Sequence, residues 1–400
     1  MPKPPFQLFA VVPPGLEQLA AAELGEVGLP VEIQRGGVSW SSDWEGLMAV
    51  HLHSRIASRV LVRIARFGAR ALGELERKAR GVDWEPWIPP EARGSGAAPI
   101  AIEVSCRRSR LYHEGAVRER IRNALEVAGA PEGADDPVCR LHVRVHRDTI
   151  TISLDATGDH LHRRGYRTLT GSAPLRETLA AAALRASGWD PAQTLLDPFA
   201  GSGTVVIEAA LVSRRIPPAL APASREPASF PFLTWEGAPM AQWKEMVGSA
   251  RAGILPRAPA PILASDRDAR ALQALRGNAE SAGVLDDLTI EECSMTRAAS
   301  RWKEAPGSIV TNPPYGARLG ERGQLKPLYR SLGSQLAGPW SGWDFSAFVS
   351  DPVLEGALRR ELARRGSGTL EPLLRTRNGG IPVTLVKRDA GQPPDPPNGP

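Results

Sequence analysis

From Thr194 onward the chain alternates short apolar strands with helices. "TLLDPF" reads as a strand ending near Asp197 and Pro198, "TVVIEAALVSRR" as a helix, "PILAS" as a strand and "DARALQALRGNAESAG" as a helix. The alternation continues through "SIVTNPP" and "DFSAFVS" to the helix "PVLEGALRRELARR". Strands separated by helices of this length form parallel βαβ units, because each helix carries the chain back across the sheet. The back half is therefore expected to be a Rossmann-like α/β domain.

The front half follows a different rhythm. A strand at "LFAVV" precedes a helix in "PPGLEQLAAAELGEVGL", whose apolar positions are Leu16, Leu19, Ala20, Leu24 and Val27. Short strands follow in "VEIQRGGVSW", "HSRIASRVLVRIARF" and "APIAIEVSC", then a helix in "HEGAVRERIRNALEVAG" and strands in "CRLHVRVHRDTITISLDA". Small α+β modules are implied. The stretch "IPPEARGSGAAP", residues 88–99, reads as an exposed loop, and "GDHLHRRGYR" as a boundary. The final "DAGQPPDPPNGP" is expected to be a disordered tail.

A chain of 400 residues is long enough for two or three domains. No apolar run approaches eighteen residues, which argues against a membrane span, and the N-terminus is a poor secretory leader. Cys106, Cys139 and Cys293 are odd in number and far apart, so neither a disulfide framework nor a zinc site is encoded. A cytoplasmic protein without a metal is expected. The net charge of +5 suits a polyanionic partner, although a basic protein without one would carry it equally well.

"LLDPFAGSGTVVIEAAL" places Gly201 and Gly203 in a turn between a strand and a helix, where the backbone can approach a ligand beside unpaired N–H groups. Thr204 follows the last glycine where a nucleoside-triphosphate loop needs lysine, and Val206 stands where a dinucleotide fingerprint needs a third glycine. S-adenosylmethionine remains as the ligand. Its ribose hydroxyls require an acid at the end of the following strand, and Asp266 in "PILASDRDARAL" supplies it, with Asp268 as the alternative.

"TNPPYGARLG", residues 311–320, supplies the reacting end. An exocyclic amine on a nucleobase is a poor nucleophile because its lone pair is delocalised into the ring. Two fixed acceptors, the Asn312 side-chain oxygen and the Pro313 carbonyl, would draw that nitrogen toward tetrahedral geometry. Proline fixes φ and lacks a competing donor. Tyr315 is expected to offer an exposed stacking face to a base taken out of its helix. A sulfonium methyl needs alignment more than a strong base. In agreement, His51, His53, His113, His142, His146, His160 and His162 all precede the glycine turn, which excludes a histidine-dependent hydrolase confined to the back half.

Together with "PPGLEQLAAAELGEVG", "SRIASRVLVRIARF", "LHRRGYR", "APLRETLAAAAL", "SDRDARAL" and "RNGGIPVTLVKR", these motifs resemble the THUMP-containing guanine-N2 RNA methyltransferases of the bacterial large-subunit rRNA type. The resemblance implies a class I methyltransferase domain over residues 171–388, preceded by a ferredoxin-like module (1–44), a THUMP domain (45–156) and a linker (157–170), and followed by the tail (389–400). It puts Asp197, Pro198, Gly201, Gly203, Asp266, Ser294 and Leu175 at the S-adenosylmethionine site, and makes Asn312, Pro313 and Tyr315 the target-base set. Ser294 stands where an acid often touches the adenine, a departure from the family pattern. One methyltransferase domain, rather than the two of fused members, implies a single methylation.

By the same resemblance Arg107, Arg108, Arg110, Arg118 and Arg122 contact RNA, with Arg318 near the target; the residues alone favour a solvated face for the cluster. Arg163, Arg164 and Arg167 of "LHRRGYR" read either as linker or as RNA contact. The implied substrate is 23S rRNA, with tRNA guanine-N2 methylation as the alternative. Adenine-N6 methylation and an RNA-binding protein with a degenerate catalytic domain are more distant readings.

Overall fold

The computed structural model describes residues 4–87, 100–125, 139–169, 175–222, 230–303, 306–315 and 322–389. It divides into two compact units: Met1–Val12, Ala21–Leu161 and Glu226–Val247 form the first, and Pro13–Ala20, His162–Arg225 and Gly248–Pro400 the second. The fold is mixed α/β, with a Rossmann-like second unit.

The first stretch of chain runs β1 (Phe6–Val11), α1 (Glu17–Glu26), β2 (Glu32–Gln34), β3 (Gly37–Ser42), α2 (Trp44–His53), β4 (Arg59–Gly68) and α3 (Leu72–Arg80). It continues through β5 (Ile100–Arg107), α4 (Glu114–Leu125), β6 (Cys139–His146) and β7 (Thr149–Asp155). These strands make one seven-stranded sheet in the order β2-β3-β1-β4-β7-β6-β5, antiparallel except between β5 and β6. The module boundary expected near residue 44 does not interrupt this sheet. The long β4 explains it: Arg59–Val62 pair with β1, and Leu61–Gly68 pair with β7.

Alternation along β6 buries Cys139, Leu141, Val143 and Val145 against Val117 and Ile121 of α4 and Leu75 of α3. The other face of the strand carries Arg140, His142, Arg144 and His146. Residues 226–247, which follow the glycine turn in sequence, belong to this unit rather than to the second. The reason is aromatic packing. His51 lies 4.9 Å from Phe230 and 4.6 Å from Phe232, while Trp235 packs near Trp44 and Trp87.

The remaining elements are α5 (Glu177–Ser187), β8 (Leu195–Asp197), α6 (Thr204–Ser213), α7 (Met240–Ala252), β9 (Ile262–Asp266), α8 (Ala269–Ser281), β10 (Leu288–Glu292) and α9 (Met295–Arg301). They end with β11 (Ser308–Thr311), α10 (Arg322–Leu336), β12 (Asp344–Val349), α11 (Pro352–Arg364), β13 (Glu371–Asn378) and β14 (Ile381–Arg388). The second sheet has the order β10-β9-β8-β11-β12-β14-β13. Its first five strands are parallel, and the β13–β14 hairpin closes the far edge antiparallel. From β8 the chain steps outward to β9 and β10, then returns to the other side of β8 as β11. The topological switch point therefore lies between β8 and β11, where open α/β sheets leave a crevice beyond the strand ends.

"LHRRGYR" resolves as neither a free linker nor an RNA contact at two of its arginines. Arg164 and Glu208 are 1% and 0% exposed in side chain and pair at 3.3 Å, and the Tyr166 hydroxyl donates to the same carboxylate. Arg167 donates to the Thr204 hydroxyl and the Leu175 carbonyl, and lies 3.3 Å from Glu177. Buried carboxylates demand paired cations, so these arginines are held inside the second unit. No helix among the described residues is long and apolar enough to cross a membrane. The expected tail, apart from Asp389, and the expected loop at 88–99 lie outside the described residues.

Candidate active site

The carboxyl ends of β8, β9 and β11 assemble the site. After β8 the glycine turn is fixed by its own backbone: the Ala200 N–H donates to the Ser265 carbonyl at 3.0 Å, and the Gly203 N–H to that of Ala200 at 2.8 Å. Gly201 and Gly203 have φ of 54° and 90°, values L side chains rarely adopt. A Cβ on Gly203 would also sit 2.6 Å from Leu275 Cγ of α8. The glycines thus serve the turn geometry and the close packing of α8, and leave the backbone approachable where α6 begins.

Asp266, at the end of β9, faces this turn. Its Oδ2 accepts from the Gly201 N–H and its Oδ1 from the Asp268 N–H, both at 3.0 Å. One backbone bond per oxygen leaves acceptor capacity on each. Asp268 instead caps α8, accepting from the Arg270 N–H at 2.9 Å. Asn278 of α8 braces the turn from behind, donating to the Ser202 and Leu169 carbonyls and accepting from the Thr168 and Leu169 N–H groups. Sequence reading missed Asn278; a single polar position on the buried face of an amphipathic helix was its only trace.

Two of the residues expected at the cofactor, Asp197 and Ser294, also make local hydrogen bonds. Asp197 is 1% exposed, and its Oδ1 accepts from the Thr311 hydroxyl at 2.5 Å and the Phe199 N–H at 3.0 Å. Burial pushes its carboxyl up to about 7 against the pull of those bonds. Ser294 is exposed and caps α9, accepting from the Arg297 N–H at 3.4 Å. Leu175 is buried, with its carbonyl held by Arg167. Pro198 sits in the turn between Asp197 and Phe199.

Asn312 and Pro313 follow β11 directly. The Asn312 Oδ1 is buried and has no hydrogen-bond partner among the described residues. An acceptor buried in this way costs stability unless something else satisfies it. Tyr315 departs from the expected exposed platform: it is 6% exposed, and its hydroxyl accepts from Asn378 Nδ2 at 3.0 Å. The polar end of the ring finds a buried amide on β13, and that bond draws the ring inward. Arg318 lies outside the described residues.

In the first unit the expected arginine cluster splits. Arg107, the last residue of β5, and Arg108 and Arg110 on the loop that follows are exposed. Arg118 is half-buried, its Nε bound to the Ile102 carbonyl at 3.0 Å, because α4 packs on β5 through Val117 and Ile121. Arg122 is half-buried on the same helix. The β6–β7 hairpin adds Arg144 and Arg147, which the sequence reading did not single out. Register places His146 opposite Arg107, and Arg144 opposite Ser105. The His146 imidazole is held below its usual value by desolvation and then by Arg144 and Arg147. The period-two pattern "RLHVRVHR" was the signal for this second set.

The family model described as RMKL-like, methyltransferase domain, matches residues 164–368, and the RlmL ferredoxin-like domain matches residues 7–61. The chain belongs to the RMKL-like methyltransferase family. Among curated members, it is 35% identical to the ribosomal RNA large subunit methyltransferase K/L of Syntrophotalea carbinolica, over 97% of this chain and 54% of that protein. This chain spans about half the length of the K/L relatives it matches. A putative RNA methyltransferase of Synechocystis sp. is 31% identical over 95% of both chains. Among solved structures, a possible methylase from Clostridium difficile 630 superposes with a TM-score of 0.83 at 28% identity, covering 98% of this chain and 100% of that one. The ferredoxin-like match ends inside β4.

Proposed function

We propose that this chain is an S-adenosylmethionine-dependent RNA methyltransferase that forms N2-methylguanosine, with 23S rRNA as its substrate. The observation that supports the reading is the buried Asn312 Oδ1, which has no hydrogen-bond partner among the described residues and lies beside the switch point of the second sheet. An exocyclic amine would satisfy that oxygen. With the Pro313 carbonyl accepting its second hydrogen, the amine is drawn toward the tetrahedral geometry of the transition state, so the two acceptors act most strongly where charge develops.

Gly201 and Gly203 admit the cofactor to the backbone, and Asp266 offers its remaining acceptor capacity to the ribose hydroxyls. Bound S-adenosylmethionine supplies a methyl group already activated on sulfur. The protein's task is then to orient the amine, and Tyr315 shapes the target pocket as a buried ring rather than an open platform. The exposed Arg107, Arg108 and Arg110, joined by Arg144 and Arg147, engage RNA phosphates in what we read as a THUMP domain. Arg118 contributes less because its guanidinium is bound to the sheet backbone. A cytoplasmic location follows from this substrate.

The preference for guanine over adenine rests on the family. The test is nucleoside chromatography of RNA treated with enzyme and labelled cofactor, with rRNA and tRNA from a strain lacking the gene offered separately. N2-methylguanosine in the 23S fraction is the expected product. N6-methyladenosine alone would overturn the guanine assignment, and label confined to tRNA would overturn the rRNA one.

A further inference from the structure

The Asn-Pro-Pro-Tyr segment is gripped at both ends by groups that no exposed ligand can reach. On one side the Thr311 hydroxyl, immediately before Asn312, donates to Asp197 Oδ1 at 2.5 Å, and both residues are 1% exposed. Asp197 belongs to β8, the parallel neighbour of β11, and its Oδ1 is further held by the Phe199 N–H at 3.0 Å. On the other side Asn378 Nδ2 donates to the Tyr315 hydroxyl at 3.0 Å, with both residues 6% exposed. Asn378 closes β13 at a two-residue turn whose Gly379 and Gly380 have φ of 55° and 88°, the geometry that tight hairpins require.

We propose that Asp197 through Thr311, and Asn378 through Tyr315, are positioning residues that together fix the Asn312 amide against the amine being methylated. The inference rests on the reading that Asn312 accepts from that amine. Its logic is geometric. Asn312 has no partner of its own among the described residues to orient its Oδ1. Its placement therefore comes from the backbone, and the backbone is tied down one residue before it and three residues after. One tie runs to the centre of the sheet and the other to its far edge, so neither can substitute for the other. Asp197 thereby leaves the set of groups expected to touch the cofactor. Asn378 gives "RNGG" a role in the site beyond closing a hairpin.

The experiment compares Thr311→Val, Thr311→Ser, Tyr315→Phe and Asp197→Asn in the full chain. It measures kcat and KM for rRNA from a strain lacking the gene, and the cofactor Kd by calorimetry. Thr311→Val and Tyr315→Phe keep shape and lose one hydroxyl each. Each is expected to lower kcat by about ten- to a hundred-fold, the scale of a misplacement near 1 Å, while KM and Kd stay within about two-fold. Thr311→Ser, which keeps the hydroxyl, should restore most of the rate. Adding Asp197→Asn to Thr311→Val should cost little more, because the two act as one pair.

Unchanged kcat in both Thr311→Val and Tyr315→Phe overturns the proposal. So does a Thr311→Val loss that appears in Kd to the same extent as in kcat, since the pair would then serve the cofactor turn. Thr311→Ser as impaired as Thr311→Val overturns it as well. Thermal melting identifies any variant that fails to fold, and the remaining hydroxyl deletion then carries the comparison. Asn312→Ala separates the two readings: full activity there overturns the role of Asn312 itself, whereas an inactive Asn312→Ala beside fully active hydroxyl variants overturns only the positioning inference.

Discussion

The two sheets have seven strands each, yet they present their functional groups in different ways. In the second unit five parallel strands direct their carboxyl ends to one edge, so Asp197, Asp266 and Asn312 are placed at that edge although they are far apart in sequence. In the first unit nearly every pairing is antiparallel, and the exposed arginines lie along strand faces and hairpin loops close to one another in the chain or in register. A parallel sheet makes a point, and an antiparallel one makes a surface. The chemistry proposed on a single amine needs the former, and the contact proposed with a run of phosphates suits the latter.

Asp266→Ala should show the largest effect on the point-like site. Losing a charged acceptor for ribose hydroxyls costs about 1.5–3 kcal/mol, roughly ten- to 150-fold in cofactor affinity by calorimetry. Equal affinity for wild type and variant would remove Asp266 from the site. The surface-like region should respond more diffusely. Replacing Arg107, Arg108 and Arg110 together by Ala should reduce the salt slope of RNA binding by about two to three, since each neutralised phosphate contributes about 0.7–0.9. Cofactor affinity should not change. An unaltered slope in a filter-binding series would make those arginines a solvated face.

The units should also answer acid in opposite senses. Burial holds His142 down to about 4, with Glu103 opposing the shift, so the folded first unit keeps it neutral where the unfolded chain protonates it. The stability of that unit should fall as pH drops from about 6.5 toward 4, because the unfolded state binds more protons. Burial raises Asp197 to about 7, so its contribution runs the other way: present below the unfolded value of 3.8, it is lost as pH rises through 7. Hydrogen exchange resolved by unit between pH 7 and pH 4.5 measures both. His142→Gln should flatten the first trend and Asp197→Asn the second; trends of the same sign in both units would refute the contrast. The smallest effect belongs to Ser294→Ala. Removing a helix cap with a 3.4 Å bond should cost about 0.5–1 kcal/mol of stability while leaving cofactor affinity intact. A clear loss of affinity would return Ser294 to the cofactor.

The parallel order of the second sheet was legible because its strands are separated by helices, and the glycine turn because positive φ selects glycine at Gly201 and Gly203. Asp266 could be picked out as the acid closing the next strand. The arginine cluster was legible only as composition. Whether an arginine faces solvent or a backbone carbonyl depends on what packs beside it, and Arg118 differs from Arg108 on that ground alone. The alternation in "RLHVRVHR" encoded Arg144 in full, yet its meaning appears only when β5 lies alongside.

What the sequence by itself determined, then, is local: periodicity, turn chemistry, and the amide and prolines of the Asn-Pro-Pro-Tyr segment. These depend on the conformational preferences of neighbouring residues, which a linear string contains. Tertiary structure alone decided that Asp197 holds Thr311, that Asn378 holds Tyr315, and that Arg164 and Arg167 are sealed against Glu208 and Glu177. It also decided that residues 226–247 join the first unit through the aromatic packing around His51. Most of these join groups distant along the chain. Hydrogen bonds between buried side chains act over about 3 Å, so only the packing of strands and helices can bring such partners within reach.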